Sequence, residues 1–146
     1  MKIVTWQEYT DLLKKVYDQI EAHDFDTIAG IGRGGSIIAA YLASKIGIPV
    51  FHPIFIRHVG RGKQLRIVAE DLDEATSLAG RVLLVDDWLC EGRAMKYVLN
   101  LLPKNTVVTT LVMFYRSGAD FKPNFIGEYI EEEEREIFFP YDPIGA

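Results

Sequence analysis

Two adjacent acids, Asp86 and Asp87, follow a continuous apolar run at positions 82–85. Such a run suits a strand that is buried on both faces of a parallel sheet. Carboxylates at the end of a buried strand are costly unless they have partners. Their oxygens can accept hydrogen bonds from sugar hydroxyls or ligate Mg²⁺. The alternative is that both acids cap a helix or face solvent; we favour a ligand site because neighbouring buried acids are typical of functional positions.

A glycine-rich segment at positions 30–35 is the second candidate site. Glycines let a ligand approach the backbone closely, and the amides at the start of the following helix attract phosphate. Arg33 adds a permanent charge with two parallel donors. Segment 90–94 is a further phosphate candidate, because Gly92 lies where a loop can present consecutive amides. Taken alone, the glycines at 30–35 fit a tight turn between a strand and a helix equally well.

The periodicity of the apolar residues predicts the elements that position these segments. Thr5 and Glu8 have the spacing of a capping box and begin an amphipathic helix. We predict a break at 32–35, helices over 36–46 and 91–102, and strands over 26–31, 49–59, 81–87, 106–115 and 126–130. Strands that alternate with helices indicate an α/β fold with a mainly parallel central sheet flanked by helices. Ligands of such sheets bind beyond the carboxyl ends of the strands, where the candidate segments lie.

Length and composition limit the class of protein. The 146 residues, 49% hydrophobic and 25% charged, fit one domain, which we divide into an N-terminal helix (1–24), an α/β core (25–115) and a C-terminal segment (116–146). A formal charge of −5 argues against a nucleic-acid coat protein. The single cysteine, Cys90, excludes an intramolecular disulfide and leaves too few thiols for a zinc cluster. Without a membrane-length apolar run or a signal sequence, we expect a cytoplasmic protein that binds neither nucleic acid nor membrane.

Together these segments resemble the type I phosphoribosyltransferases, and within them the purine-salvage branch typified by xanthine-guanine phosphoribosyltransferase. Residues 82–94 resemble the family's apolar run, acid pair and phosphate turn, and residues 31–35 its pyrophosphate loop. Residues 114–116 fall where purine enzymes carry a base-contacting lysine, and residues 137–142 resemble their C-terminal hood. The matches follow the family's order over residues 25–142, so the resemblance implies the type I fold with a small hood.

The resemblance implies transfer of the 5-phosphoribosyl group from phosphoribosyl pyrophosphate to a nucleobase, a purine in this branch, with release of pyrophosphate and Mg²⁺ as cofactor. Asp86 and Asp87 would hold the ribose hydroxyls, and Asp87 would also face Mg²⁺. The partners implied are phosphoribosyl pyrophosphate and a nucleobase or nucleotide. The family often forms homodimers or higher homo-oligomers, and by analogy Trp6, Tyr9 and the C-terminal aromatic residues supply an interface.

The resemblance also assigns the remaining site residues. The residues for pyrophosphate are Gly32, Arg33, Gly34 and Gly35. Lys63, Arg57 and Arg61 would close over the pyrophosphate as a lid, and a solvated basic loop is an equally good interpretation of these three residues. The turn around the 5′-phosphate comprises Cys90, Glu91, Gly92, Arg93 and Ala94, and the base-binding residues are Arg116, Glu136, Ile137, Phe138 and Asp142. The catalytic residues are Asp86, Asp87 and Cys90.

Several positions depart from the family pattern. Cys90 stands where purine enzymes carry the acid that handles the purine N7 proton, and Glu91 and Ala94 stand at hydroxyl positions. A carboxylate at Glu91 that points into the turn would repel a phosphate. Glu136 replaces a stacking aromatic residue, for which Phe138 or Tyr141 is the expected substitute.

These departures leave a second hypothesis open, which is a protein of the same fold that binds a nucleotide or phosphoribosyl pyrophosphate as a sensor without catalysis. A dinucleotide-binding oxidoreductase is a third and weaker alternative. Segment 30–35 meets the glycine fingerprint of such enzymes only formally, and no acid ends the next predicted strand to hold an adenosine ribose.

Overall fold

The computed structural model describes residues 1–60, 66–70 and 72–143. Strands and helices alternate through most of this chain. In order, the elements are β1 (Lys2–Ile3), α1 (Trp6–Ile20), β2 (Thr27–Ile31), α2 (Gly32–Ile46), β3 (His52–Ile54), β4 (Ile56–Val59), β5 (Arg66–Ala69), α3 (Leu72–Thr76), β6 (Arg81–Leu89), α4 (Arg93–Leu101), β7 (Val107–Arg116), β8 (Phe125–Ile130) and β9 (Ile137–Phe138).

The central sheet has five strands in the order β3-β2-β6-β7-β8, and every neighbouring pair is parallel. Helices cover both faces. Leu83 and Val85 of β6 belong to a core shared with α1 and α2, whereas Val82 and Leu84 belong to a core shared with α3 and α4. The strand is therefore buried on both faces, which explains its unbroken apolar run. The predicted α/β fold with a mainly parallel sheet is confirmed.

Helix α1 begins as its sequence predicts. The Thr5 hydroxyl accepts a hydrogen bond from the Glu8 amide at 3.1 Å, and the Glu8 carboxylate accepts one from the Thr5 amide at 3.3 Å. The apolar face of the helix, which includes Tyr9 and Val16, packs against β7 and β8. Tyr9 was expected at a subunit interface, but it is only 2% exposed and lies in the core of the subunit. Trp6 is 61% exposed.

The predicted break at 32–35 is wrong, because α2 begins at Gly32 and its first turn contains the glycines. A Cβ on Gly30 would lie 2.5 Å from the carbonyl oxygen of Gly35, and one on Gly35 would lie 2.6 Å from the carbonyl oxygen of Val85. The helix thus packs directly on the backbones of β2 and β6. Apolar periodicity could not reveal this, because glycines carry no apolar side chain and the contact of Gly35 with Val85 joins distant parts of the chain.

The predicted strand over 49–59 is divided in two. Its first part, β3, forms an edge of the sheet and contains Pro53, as a proline in a strand favours. The chain leaves the sheet at Phe55, and β4 then pairs with β5 in an antiparallel arm. Within this arm, the Arg57 Nε lies 2.6 Å from a carboxylate oxygen of Glu70.

The two ends of the described chain meet beside the sheet. Strand β1 pairs in parallel with β9, with Lys2 opposite Ile137, and the Met1 amino group lies 2.8 Å from the Glu134 carboxylate. The strand expected near 126–130 is present as β8 and forms the other edge of the sheet. None of the helices in the described residues is long and apolar enough to cross a membrane.

The close packing of α2 leads to a stability prediction. Gly30→Ala should lower the free energy of unfolding by about 1–3 kcal/mol, the range typical of overpacked cores, because its Cβ meets backbone that cannot rotate away. Urea denaturation measures this change. Ser36→Ala is the control: its hydroxyl bonds only the Gly32 carbonyl within the same helix, so the change should stay within about 0.5 kcal/mol. Equal stabilities for the two variants would contradict the packing described.

Candidate functional site

The acid pair lies in the last part of β6, which continues to Leu89 beyond the predicted end of the strand. Asp86 is buried and accepts a hydrogen bond from the Asp87 amide at 2.8 Å. Burial raises the pKa of the Asp86 carboxyl well above its ordinary value, and the charge of Asp87 raises it further. Burial also raises the pKa of Asp87. Neither acid has an ion-pair partner in the part of the chain that the structure describes, so no cation there neutralises either carboxylate.

Asp87 lies between α2 and the C-terminal segment. The Tyr141 hydroxyl donates a hydrogen bond to Asp87 Oδ2 at 3.1 Å, and a Cβ on Gly34 would overlap the Asp87 carboxylate. The Tyr141 ring stacks on Phe139, with centroids 5.4 Å apart, and meets the edge of the Tyr9 ring at 5.7 Å. Burial and the nearby charge of Asp87 raise the pKa of Tyr9 and of Tyr141, so both hydroxyls stay protonated. Packed aromatic rings therefore hold the residue that orients Asp87.

Two cavities meet at the end of β6, with His58, Asp86, Trp88 and Ala94 lining both. The first, of about 720 Å³, is lined by the whole turn 90–94 and by residues of the β4–β5 arm. The second, of about 550 Å³, is lined by the start of α2, by Asp87 and by the C-terminal segment. The structure therefore brings the acid pair, the glycine segment and the proposed phosphate turn into one cleft.

A smaller cavity of about 400 Å³ adjoins this cleft at Trp88. It contains the four predicted base-binding residues of the C-terminal segment, and its lining is Trp88, Arg135, Glu136, Ile137, Phe138, Asp142 and Pro143. Asp142 Oδ2 accepts a hydrogen bond from the Phe139 amide at 2.8 Å, which fixes the carboxylate at the cavity wall. We refer to this space as the base-side cavity.

Arg116, the fifth predicted base-binding residue, is placed elsewhere. It is 7% exposed, and its Nε and Nη1 donate to the carbonyl oxygens of Cys90 and Glu132 at 2.8 and 3.2 Å. The residues that line the base-side cavity do not include it. Arg116, the last residue of β7, therefore supports the turn 90–94 through the Cys90 carbonyl and ties it to the segment after β8 through the Glu132 carbonyl.

Two arginines, Arg93 and Arg135, compensate the charge of Glu91 in the turn 90–94. Its carboxylate is 3.1 Å from Arg93 Nε and 3.8 Å from Arg135 Nη1, and Arg135 Nη1 is also 4.0 Å from Cys90 Sγ. One arginine belongs to the turn and the other to the C-terminal segment. The expected repulsion of a phosphate is therefore reduced, since the carboxylate is drawn to two guanidinium groups. Gly92, with φ +87°, is the N-cap of α4, which begins at Arg93, two residues later than predicted.

The comparisons with known proteins agree with this arrangement. The family model described as "Phosphoribosyl transferase domain" matches residues 5–132. The chain belongs to this family. The resemblance to type I phosphoribosyltransferases seen in the sequence is confirmed.

Relatives of this phosphoribosyltransferase-family chain act on different bases. An orotate phosphoribosyltransferase of Sulfurisphaera tokodaii is 29% identical over 127 residues, covering 85% of this chain. The chain spans only 60% of that relative's length. A xanthine-guanine phosphoribosyltransferase of Idiomarina loihiensis is 26% identical over 143 residues, covering 95% of this chain and 85% of the relative.

Solved structures share the fold of this phosphoribosyltransferase-family chain. A purine phosphoribosyltransferase from Pyrococcus horikoshii has a TM-score of 0.80 at 20% identity, covering 99% of this chain and 95% of that one. A hypothetical protein from Neisseria gonorrhoeae with bound ppGpp also has a TM-score of 0.80, at 21% identity, covering 99% and 91%.

Among the residues that sequence reasoning did not assign to the site, His58 and Trp88 line both large cavities of this phosphoribosyltransferase domain. Trp88 follows the acid pair directly, and that adjacency was a usable signal. His58 had no local signal, because only the folding of the β4–β5 arm brings it to the cleft. Lys63 and Arg61, predicted as parts of a lid, lie outside the described residues.

The buried acid pair of this domain should destabilise the unliganded protein. Asp86→Asn with Asp87→Asn should raise the free energy of unfolding at pH 7 by about 1 kcal/mol or more, since one pKa unit corresponds to about 1.4 kcal/mol. A raised pKa in the folded state means that the charged carboxyls oppose folding, so most of the gain should be lost as the pH falls to about 4, near the ordinary pKa of the carboxyls in the unfolded chain, and the rest below that pH.

Urea denaturation at pH 7 and pH 4 measures this difference, with the exposed Asp18→Asn as the control. A double variant less stable than the native protein at pH 7 would show that the two acids serve the core and not a ligand.

Proposed function

We propose that this protein transfers the 5-phosphoribosyl group from phosphoribosyl pyrophosphate to a purine base and releases pyrophosphate. The observation that carries the proposal is the single cleft in which the acid pair, the first turn of α2 and the turn 90–94 meet. These three groups match, in number and charge, the ribose, the pyrophosphate and the 5′-phosphate of the donor. Membership of the phosphoribosyl transferase domain family supports the same assignment.

Each phosphate has a suitable backbone site. The turn 90–94 leads into α4, whose N-terminal amides favour an anion, and Gly92 gives the chain the left-handed turn that exposes them. At the other end of the cleft, the pyrophosphate meets the N-terminus of α2 and the exposed side chain of Arg33. The ribose then lies over Asp86 and Asp87, whose carboxylates accept hydrogen bonds from its hydroxyls.

The donor set fits Mg²⁺. In the described residues there is no cluster of three or more metal-ligating side chains. Mg²⁺ commonly uses one or two carboxylates, with substrate phosphates and water as its other ligands. Asp87 meets that need, because its carboxylate faces the cavity beside the start of α2, and the ion would balance the charge of the pyrophosphate.

The chain's own residues promote the reaction by orientation and charge. The base nitrogen attacks the anomeric carbon as the bond from that carbon to the pyrophosphate oxygen breaks. The bonding electrons leave with the pyrophosphate, and the proton of the base nitrogen passes to water or to the departing pyrophosphate. Positive charge develops on the ribose, where the carboxylates of Asp86 and Asp87 stabilise it. Holding the donor at both of its ends keeps the anomeric carbon beside the base, which lowers the entropic part of the barrier.

Charge around the base-side cavity supports a purine over orotate. Glu136 and Asp142 line it against one cation, Arg135, so the carboxylate of orotate would meet net negative charge. Because Asp142 Oδ2 accepts the Phe139 amide, its Oδ1 remains to accept a hydrogen bond from a base N–H or amino group. A purine carries such donors.

Pyrophosphate release tests the proposal. With Mg²⁺ and phosphoribosyl pyrophosphate, the native protein should release pyrophosphate when guanine, hypoxanthine or xanthine is added, and at least tenfold more slowly with orotate or uracil. The folded Asp86→Asn, Asp87→Asn variant is the control and should release none. Release with orotate alone would contradict the purine assignment, and the absence of release with every base would contradict transfer.

A regulatory role is the second candidate function, and the turn 90–94 favours it. Cys90 replaces the acid expected of purine enzymes, and Glu91 places a carboxylate in the phosphate turn. The similar Neisseria gonorrhoeae structure holds ppGpp. In this alternative the cleft binds a guanosine nucleotide that carries additional phosphates, and Arg93, Lys96 and Arg135, which line a cavity of about 390 Å³ beside the turn, attract them. Nucleotide binding without pyrophosphate release would favour this candidate.

In either role, Glu91 should weaken phosphate binding. Glu91→Gln removes one negative charge and frees Arg93 and Arg135, so affinity for guanosine 5′-monophosphate should rise about two- to fivefold, as expected for an exposed ion pair. Calorimetric titration at 50 mM and 500 mM salt measures this gain, which salt should reduce. Glu133→Gln, also exposed but outside the turn, is the matched control. An unchanged affinity would place the phosphate away from the turn 90–94.

A further inference from the structure

Trp88 occupies the junction of the cleft. It lines both large cavities and the base-side cavity, so any ligand that extends from the ribose position toward Ile137 passes it. The residue is half-buried and packs against the core that contains Phe114 and Phe139. Within the described ranges 1–60, 66–70 and 72–143, its indole has no aromatic partner and no hydrogen-bond partner. The indole is therefore supported from the core and open toward the cavities.

The other aromatic residues near the cleft are engaged or lie to one side. Tyr141 donates its hydroxyl to Asp87, stacks on Phe139 and meets the edge of Tyr9. Phe139 is buried in the core. Phe138 lines the base-side cavity from β9 and neither of the two large cavities. Of these rings, only the indole of Trp88 spans the ribose position and the base-side cavity.

We propose that Trp88 is the residue on which the nucleobase stacks, and that it selects two-ring bases. The proposal rests on the proposed function and adds the residue that determines its substrate class. Ile137 and Phe138 line the same cavity from a different element, so a base beside Trp88 also contacts β9. Glu136 occupies the position that an aromatic residue often holds in purine enzymes, and here the aromatic surface comes from β6.

The preference for two rings follows from contact area. Aromatic systems attract in an offset-stacked arrangement, and the gain grows with the surface that both partners remove from water. The indole has two fused rings, so a purine overlaps more of it than a pyrimidine does. Stacking does not distinguish one purine from another, because each purine presents a similar two-ring π-face. Trp88 therefore sets ring size, and the choice among purines falls to the polar groups Asp142 and Glu136.

The chain has two tryptophans, which makes the proposal directly measurable. In a Trp6→Phe background, Trp88 is the sole source of tryptophan fluorescence. Guanosine 5′-monophosphate should quench this emission on binding, whereas ribose 5-phosphate, which lacks the base, should leave it within about a tenth of its initial value. Equal quenching by the two ligands would overturn the proposal, since the base would then contribute nothing at Trp88.

Affinity provides the second measurement. Trp88→Leu should weaken guanosine 5′-monophosphate about tenfold and leave ribose 5-phosphate within twofold, while Trp88→Phe should recover most of the loss. The Michaelis constant for the purine should rise with no comparable change in that for phosphoribosyl pyrophosphate. Trp6→Leu, the same change outside the cleft, is the matched control. A loss of equal size for both ligands would make Trp88 a structural residue and overturn the proposal.

The outcomes separate this proposal from the proposed function. Quenching by the nucleotide without pyrophosphate release supports stacking on Trp88 and contradicts transfer. Pyrophosphate release with a purine Michaelis constant that Trp88→Leu leaves unchanged supports transfer and overturns the stacking role. Failure of guanosine 5′-monophosphate to bind under any condition overturns both.

Discussion

The contact between the first turn of α2 and the ends of β2 and β6 determines where the ligand-binding groups of the cleft lie. Gly30, Gly34 and Gly35 have no side chains in this contact, and a Cβ on any of them would overlap backbone or the Asp87 carboxylate. Because the two backbones touch, the amides at the start of the helix lie beside the acid pair. A cationic sugar and an anionic leaving group are adjacent in the proposed reaction, and this contact places their complementary groups side by side.

The orientation of Asp87 beside this contact also depends on the two ends of the described chain. Asp87 is held on one side by α2 and on the other by the hydroxyl of Tyr141, whose ring packs on Phe139 and against Tyr9 of α1. The pairing of β1 with β9 keeps the C-terminal segment at this position. A helix at the start of the sequence thus contributes to the orientation of a carboxylate at the centre of the sheet. Burial raises the pKa of both Asp86 and Asp87 in the unliganded protein, and among the described residues the Tyr141 hydroxyl donates a hydrogen bond to Asp87.

Local patterns in the sequence predicted those features whose cause is itself local. The capping box at Thr5 and Glu8 and the buried strand before Asp86 are read from neighbouring residues, and both are present. The start of α2 at Gly32 and the departure of β4 from the sheet depend on packing between distant segments, so periodicity alone could not predict them. The ordered motifs predicted which segments form the cleft. They did not predict that Arg116 turns to the carbonyls of Cys90 and Glu132, because those acceptors come from other elements.

The departures from the family pattern at Cys90, Glu91, Ala94 and Glu136 lie in the turn 90–94 and in the base-side cavity, outside the acid pair and the glycine segment. In the proposed reaction, Asp86 and Asp87 would hold the ribose, and the glycines at the start of α2 would hold the pyrophosphate. At the phosphate turn, the added carboxylate of Glu91 is met by Arg93 and Arg135, so the local charge stays close to balance. In the base-side cavity, Glu136 stands where purine enzymes often have an aromatic residue, and Trp88 of β6 presents an aromatic surface.

Arg135 contacts both regions, since it pairs with Glu91 and also lines the base-side cavity. A ligand phosphate that draws Arg93 away from Glu91 would leave Glu91 paired with Arg135 alone. A base that displaces Arg135 would leave Glu91 paired with Arg93. By linkage, each ligand would then change the affinity for the other by the same factor. Arg135 is thus the residue through which a ligand at one of these regions would act on the other.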